Sequence, residues 1–159
     1  MDKRALIQAI VAQLTGELES YARSARATHE EAAHEQSKAE NKYDTRGLEA
    51  SYLAQGQSRQ AAEVVQAVSQ FETLEALAFG KDDPIDLGAL VELESAADRL
   101  FYFMGPRAGG IEILHERKQI VVITPQSPMG QLLLGRKKGD RFDFIRGKSK
   151  TSYRIRNVW

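Results

Sequence analysis

The chain contains no cysteine, which excludes disulfides and thiolate metal sites and leaves the redox compartment unmarked. No window approaches the roughly 18 apolar residues of a membrane span. The N-terminal run MDKRALIQAIVAQLTGE has no long apolar core either, so no export signal is expected and cytoplasm is the default. There is no phosphate-binding glycine loop, and no serine stands in a recognisable nucleophile context. His29, His34 and Glu35 are spaced by five and one, which does not reproduce the HExxH pattern of a zinc-binding helix. An autonomous catalyst is therefore not expected.

What is present first is helical periodicity. Leu6, Ile10, Leu14, Leu18, Tyr21 and Ala25 recur at steps of three and four, one stripe of an amphipathic helix expected over residues 2–33 with Asp2 as its N-cap. The pattern resumes with Leu48, Tyr52, Leu53, Ala61, Val64, Val65, Val68, Phe71, Leu74 and Phe79. Asp44 or Thr45 can cap this second helix, and Gly80 would close it. Gly16 is a mild local weakness, and Gly56 marks a bend or a close helix contact. Between the stripes lies the polar run HEQSKAENKYDTRG, residues 34–47, the expected tip of a helical hairpin. Arms of about 35 residues would reach on the order of 50 Å. Stripes this narrow bury one another pairwise rather than enclosing a globular interior, so an antiparallel coiled coil is expected over residues 1–82.

The segment KDDPIDLG, with Pro84 and a cluster of acids, breaks the helical period and places a domain boundary near Asp83. Beyond it the period becomes two. Leu87–Leu93, Leu100–Met104, Ile111–Leu114, Gln119–Ile123, Arg141–Ile145 and Thr151–Val158 read as strands of a curved, largely antiparallel sheet, with GPRAGG at 105–110 as a hairpin turn. Ser127 can cap a short helix over 127–134, with Pro128 at its preferred first position and Gly135 at its end. One helix against a curved sheet makes residues 83–159 a small α+β domain.

The formal charge is zero, with 22 basic and 22 acidic residues, but the distribution is uneven. From Arg117 onward the only acids are Asp140 and Asp143, against a run of arginines and lysines ending at Arg154 and Arg156. Such a patch favours polyanions or acidic protein surfaces, or it serves as a solvated face.

The tip mixes Glu35, Glu40, Asp44 and Glu49 with Lys38, Lys42 and Arg46. Magnesium often takes only one or two protein carboxylates beside water and substrate phosphates. Glu40 and Asp44 could therefore complete a magnesium site inside a partner's active centre, but could not build one alone. The same charges also suit a solvated helix end, and Lys42, Tyr43 and Arg46 suit contact with RNA or a protein partner.

The run ITPQSPMGQLLLGRKKGDRFDF, residues 123–144, resembles the signature of the Gre-type (GreA/GreB) transcript cleavage factors of bacterial RNA polymerase. It supplies Ser127, Pro128, Met129, Gly130, Leu133, Leu134, Gly135, Gly139 and Asp140 at matching spacing. LFYFMGPRAGGIEI is similar to the strand, turn and strand preceding that segment in the family. The resemblance implies a coiled coil followed by an FKBP-like domain that docks on the rim of the polymerase secondary channel. It further implies that acidic tip residues enter the channel, help hold the polymerase's magnesium ion near the RNA 3′ end, and stimulate cleavage of backtracked RNA.

On that footing Glu40 is the acid the resemblance implies, and Asp44, taken from the local charge pattern, joins it as a candidate catalytic and shared metal residue, with no cofactor bound by the chain alone. Ser127, Pro128 and an exposed Met129 are implied on the polymerase-gripping surface, and Lys42, Tyr43 and Arg46 as further contacts. The chain is expected to be a monomeric accessory factor with no membrane partner. The family tip pattern aligns in two registers. Anchoring on Glu40 and Asn41 keeps Glu40 with Ser37 at the other acidic position, whereas anchoring on Tyr43 puts Gln36 and Ala39 there. A channel-binding regulator without cleavage stimulation is thus a second reading. A prolyl isomerase is a third, on FKBP-like shape alone.

Overall fold

A computed structural model describes residues 1–35 and 46–159, with side chains described outside 28–54 and position 146. Two long helices, α1 (Lys3–Glu35) and α2 (Arg46–Glu72), lie in contact as an N-terminal hairpin. Strands β1 (Leu90–Glu94), β2 (Arg99–Met104), β3 (Glu112–His115) and β4 (Lys118–Ile123) follow, then the short helix α3 (Pro128–Leu133) and strands β5 (Arg141–Arg146) and β6 (Ser149–Val158). The expected α+β architecture is what is observed. Two compact units result, one of residues 12–69 and one of residues 1–11 with 70–159.

In the helical unit the stripe thins along α1. Leu14 is buried, Leu18 and Tyr21 are half-buried, and Ala25 is exposed. On α2, Val64 and Val68 are half-buried and Ala67 is buried, whereas Val65 is 50% exposed and lies off the stripe. The helix continues unbroken through Gly56, where an added Cβ would meet nothing within 4 Å, so the glycine marks no close helix contact.

The other unit begins with the first turns of α1. Asp2 is the expected cap: its Oδ1 accepts from the Ala5 amide at 3.1 Å and its carbonyl from Leu6 at 3.1 Å. Leu6, Ile7 and Ile10 are buried, as is Phe71, whose ring lies 6.4 Å from that of Phe103. Helix α2 stops at Glu72, short of the expected Gly80. The Thr73 hydroxyl donates to the Gln70 carbonyl and the Leu74 amide reaches only three residues back, to Phe71, tightening the last turn. Beyond it the backbone finds partners outside α2. The Leu77 carbonyl accepts from the Lys3 ammonium, and the Gly80 amide donates to Asp83 at 2.6 Å.

The six strands form one sheet in the order β3-β4-β2-β1-β6-β5. All neighbours are antiparallel except β2 and β4, which run parallel from Phe101 opposite Ile120 to Met104 opposite Ile123. GPRAGG is therefore not a hairpin turn. It carries the chain past β4, which then inserts between β3 and β2. The tight turn lies instead at Glu116 and Arg117, both in the left-handed region with φ 47° and 62°, the backbone that a two-residue hairpin demands.

Alternation sorts the sheet into two faces. Val91, Leu93, Met104, Ile123, Phe142, Ile155 and Val158 join Met129 and Leu133 of α3 in one core, with Leu100, Tyr102 and Phe144 packed at its margin. Ile85 closes it. Its amide donates to the Arg136 carbonyl and its carbonyl accepts from Gly135, both at 2.8 Å, tying the segment before β1 to the end of α3.

Candidate functional site

The candidate segment is built by its own sequence. At Ser127 the backbone is extended (φ −68°, ψ 153°), which lets its hydroxyl turn back on the helix it starts. That oxygen accepts from the Gly130 amide at 3.1 Å and donates to the Thr124 carbonyl at 2.7 Å, while the Ser127 amide donates to the same carbonyl at 3.0 Å. A single residue thus caps α3 and closes the turn after β4. Pro128 occupies the first helical position, where its missing N–H costs nothing.

Gly130 explains why the motif wants a small residue. A Cβ there would stand 1.9 Å from the Thr124 carbonyl oxygen and 2.9 Å from the Ser127 hydroxyl, well inside van der Waals contact. At the other end Gly135 takes φ 76°, and the Arg136 side chain donates to the Leu132 carbonyl and lies 5.3 Å over the Phe142 ring. Asp140 then accepts from the Lys137 amide at 2.9 Å across the turn at Gly139, where φ is 99°. Ser127, Pro128, Gly130, Gly135, Gly139 and Asp140 thus each have a structural task.

The functional expectations meet this geometry unevenly. Pro128 is exposed and Ser127 half-buried, so the start of α3 is accessible. Met129 is not: it is 7% exposed and belongs to the core beneath the sheet. The expectation of an exposed methionine is corrected, because in a six-residue helix the position after Pro128 faces the sheet. The tip positions Glu40, Lys42, Tyr43 and Asp44 lie outside the described residues, as do Gln36, Ser37 and Ala39. The Arg46 side chain does too, although its backbone opens α2. Among the described residues no cluster of histidine and acidic side chains could hold a metal ion, and no helix is long and apolar enough to cross a membrane.

A polar network on the opposite sheet face escaped the sequence reading. Glu92 is buried at 6% exposure, yet it accepts from the Asn157 amide at 2.6 Å and pairs with Arg156 at 3.7 Å and Arg99 at 3.9 Å. Glu94 takes the rest of both arginines, with Arg156 at 2.8 Å and Arg99 at 3.5 Å. The signal was the alternation in SYRIRNV, which puts Arg154 and Arg156 on the face opposite Ile155.

One lysine stands apart electrostatically. Lys3, 7% exposed, donates to the Leu77 and Gly88 carbonyls and lies 4.5 Å over the Phe79 ring, and burial pushes its pKa down to about 8. It anchors the start of α1 beside the segment that follows α2, a structural task.

No family model matches the chain, and no curated protein matches its sequence. Solved structures do. GreA factor homolog 1 (Gfh1) of Thermus thermophilus is 22% identical over 94% of each chain, with a TM-score of 0.39. Gfh1 of Thermus aquaticus is 24% identical, with a TM-score of 0.41, over 95% of this chain and 94% of that one. A GreA/GreB transcription elongation factor of Nitrosomonas europaea is 18% identical, with a TM-score of 0.36, over 74% of this chain and 94% of its own.

Proposed function

We propose that the chain is a Gre-type transcription elongation factor: a non-enzymatic accessory protein that binds bacterial RNA polymerase at its secondary channel and stimulates cleavage of backtracked RNA. The observation that carries this reading is the segment from Thr124 to Asp140. Residues singled out there by resemblance form one built unit, with Ser127 capping, Gly130 in close approach and Gly135 and Gly139 in left-handed turns. That the residues matching the family are also the ones that build this unit is what supports the reading.

In this reading the exposed Pro128 and half-buried Ser127 touch the polymerase rim, and Met129 acts from below by holding their turn against the core. The hairpin brings Glu40 and Asp44 to the polymerase's magnesium ion, where two added carboxylates help orient the attacking water. Lys42, Tyr43 and Arg46 contact RNA or polymerase nearby. The chain itself carries no cofactor and acts as a monomer in the cytoplasm.

A second reading keeps the docking and removes the chemistry. With the tip aligned on Tyr43, Gln36 and Ala39 replace the acidic pair, and the protein becomes a channel occupant that regulates access. Stalled, backtracked polymerase separates the two. Cleavage of the RNA 3′ end should accelerate when the protein is added, and Asp44→Ala or Glu40→Ala should abolish that gain while retaining binding. Binding without acceleration would establish the regulator; absence of binding would remove both readings.

A further inference from the structure

On the sheet face opposite the α3 core, a cleft of about 280 Å³ is lined by Glu94, Lys138, Gly139, Arg154, Arg156 and Asn157, with Glu94 on β1 in register opposite Arg154. Its charge is not the simple sum of these groups. Glu92 and Glu94 are already neutralised by Arg99 and Arg156, at 2.8 to 3.9 Å. Lys138 is bound to the neutral amide oxygen of Asn157 at 2.9 Å and keeps its full charge. Among the described residues no carboxylate forms an ion pair with Arg154. Directly opposite Arg154 on β5 stands a second exposed arginine, Arg141. Like charges facing each other across neighbouring strands repel, and a row of phosphates running past both would relieve that cost.

We propose that this cleft holds a backbone phosphate of a nucleic acid, bound without regard to sequence. Each end of the Asn157 amide already carries a bond, the oxygen from Lys138 and the nitrogen to Glu92 at 2.6 Å, so the side chain is held to the protein rather than turned toward a base edge. Arg154 and Lys138 supply charge-assisted donors for phosphate oxygens, and Arg141 continues the positive track beyond the cleft toward the next phosphate. That continuation favours a polymer over a free nucleotide, which would leave it idle. The inference does not depend on the polymerase reading, because the cleft lies on a sheet face rather than at the start of α3 or at the hairpin tip.

The test is fluorescence anisotropy of a short labelled single-stranded oligonucleotide with the full chain, followed from about 50 to 200 mM salt. The double variant Arg154→Gln with Lys138→Gln should bind about tenfold more weakly, and its log–log salt slope should flatten by roughly 0.7 for each phosphate that is no longer neutralised. Arg4→Gln with Lys81→Gln, which removes equal charge from exposed positions elsewhere, should bind as the wild type does. The charge-keeping exchange Arg154→Lys with Lys138→Arg should restore most of the affinity and so separate loss of charge from loss of fold. Equal weakening in the control pair, or no weakening in the cleft pair, would overturn the proposal. So would displacement of the oligonucleotide by a nucleoside triphosphate or by polyglutamate at matched charge concentration, which would make the cleft a free-nucleotide site or a seat for acidic protein.

Discussion

Glycine has opposite meanings in the two compact units. In the sheet unit, a Cβ at Gly105 would meet the Phe71 ring at 2.7 Å and Val122 at 2.9 Å, and one at Gly130 would strike the Thr124 carbonyl at 1.9 Å. In the helical unit, Gly16 and Gly56 stand inside long helices, where the same atom would meet nothing within 4 Å. The first pair is glycine because neighbouring atoms occupy the space. The second pair has no such neighbour and carries the entropic penalty of glycine in a helix without a packing return. One unit is specified by close approach, the other by periodicity and a thin apolar seam.

The sharpest way to break this comparison is Gly130→Ala. The obstructing atom is a backbone carbonyl that also accepts two hydrogen bonds from Ser127, so the turn must open to admit a methyl group. The expected loss is roughly 1–3 kcal/mol, the usual range for overpacking a filled site. It should appear as a lower denaturant midpoint at unchanged slope. An unchanged midpoint would mean that the turn after β4 is soft and that the segment is not the interlocked unit described above.

Much of this contrast was legible in the residues. Ser127 before Pro128, and Gly135 after Leu134, announce a capped helix and its end because cap chemistry is local. Strand positions followed from period two. The parallel pairing of β2 with β4 did not, since alternation reveals which residues share a face but not which strands are neighbours. The end of α2 was overestimated for a related reason. Leu74 and Phe79 keep a helical step in sequence, yet the Lys3 ammonium takes the Leu77 carbonyl and Phe79 packs at the core margin from an irregular segment. Met129 read as exposed because proximity to a motif carries no information about facing. The buried Glu92 was illegible, since its partners Arg99, Arg156 and Asn157 are distant in sequence and meet only when β1 lies between β2 and β6.

A second test concerns the pH dependence of the sheet unit. Burial lowers the Lys3 pKa to about 8, from the 10.5 of an exposed lysine. Between those values the unfolded chain retains a proton that the folded chain has released, so stability rises with pH across this window; below about pH 8 the penalty is fully present. Tyr102 acts in the opposite sense above pH 10, because burial raises its pKa and the folded state holds the phenolic proton longer. The diagnostic interval is therefore pH 8 to 10. The midpoint of the wild type should climb there, and Lys3→Met, which keeps most of the apolar stem without the charge, should flatten the climb. A wild-type midpoint that stays flat across the interval would show that the two carbonyls and the Phe79 ring compensate the lost hydration.

The smallest effect is the most discriminating for the arm. Gly16→Ala and Gly56→Ala should each stabilise the protein by about 0.5–1 kcal/mol, because alanine narrows the unfolded ensemble and both native positions are helical. The sign is what matters, since the same substitution at Gly130 is expected to destabilise. Far-ultraviolet circular dichroism during thermal unfolding reads both, the helical arm contributing much of that signal. A destabilising Gly56→Ala would mean that something packs closely on that turn in solution, and the arm would then be specified by close approach as the sheet unit is. A gain at both glycines would instead show an arm held by its seam alone, with Leu14 and Ala67 buried along it and spare helix propensity left unused. For a hairpin whose proposed task lies at its tip, neither site has a packing reason to resist alanine.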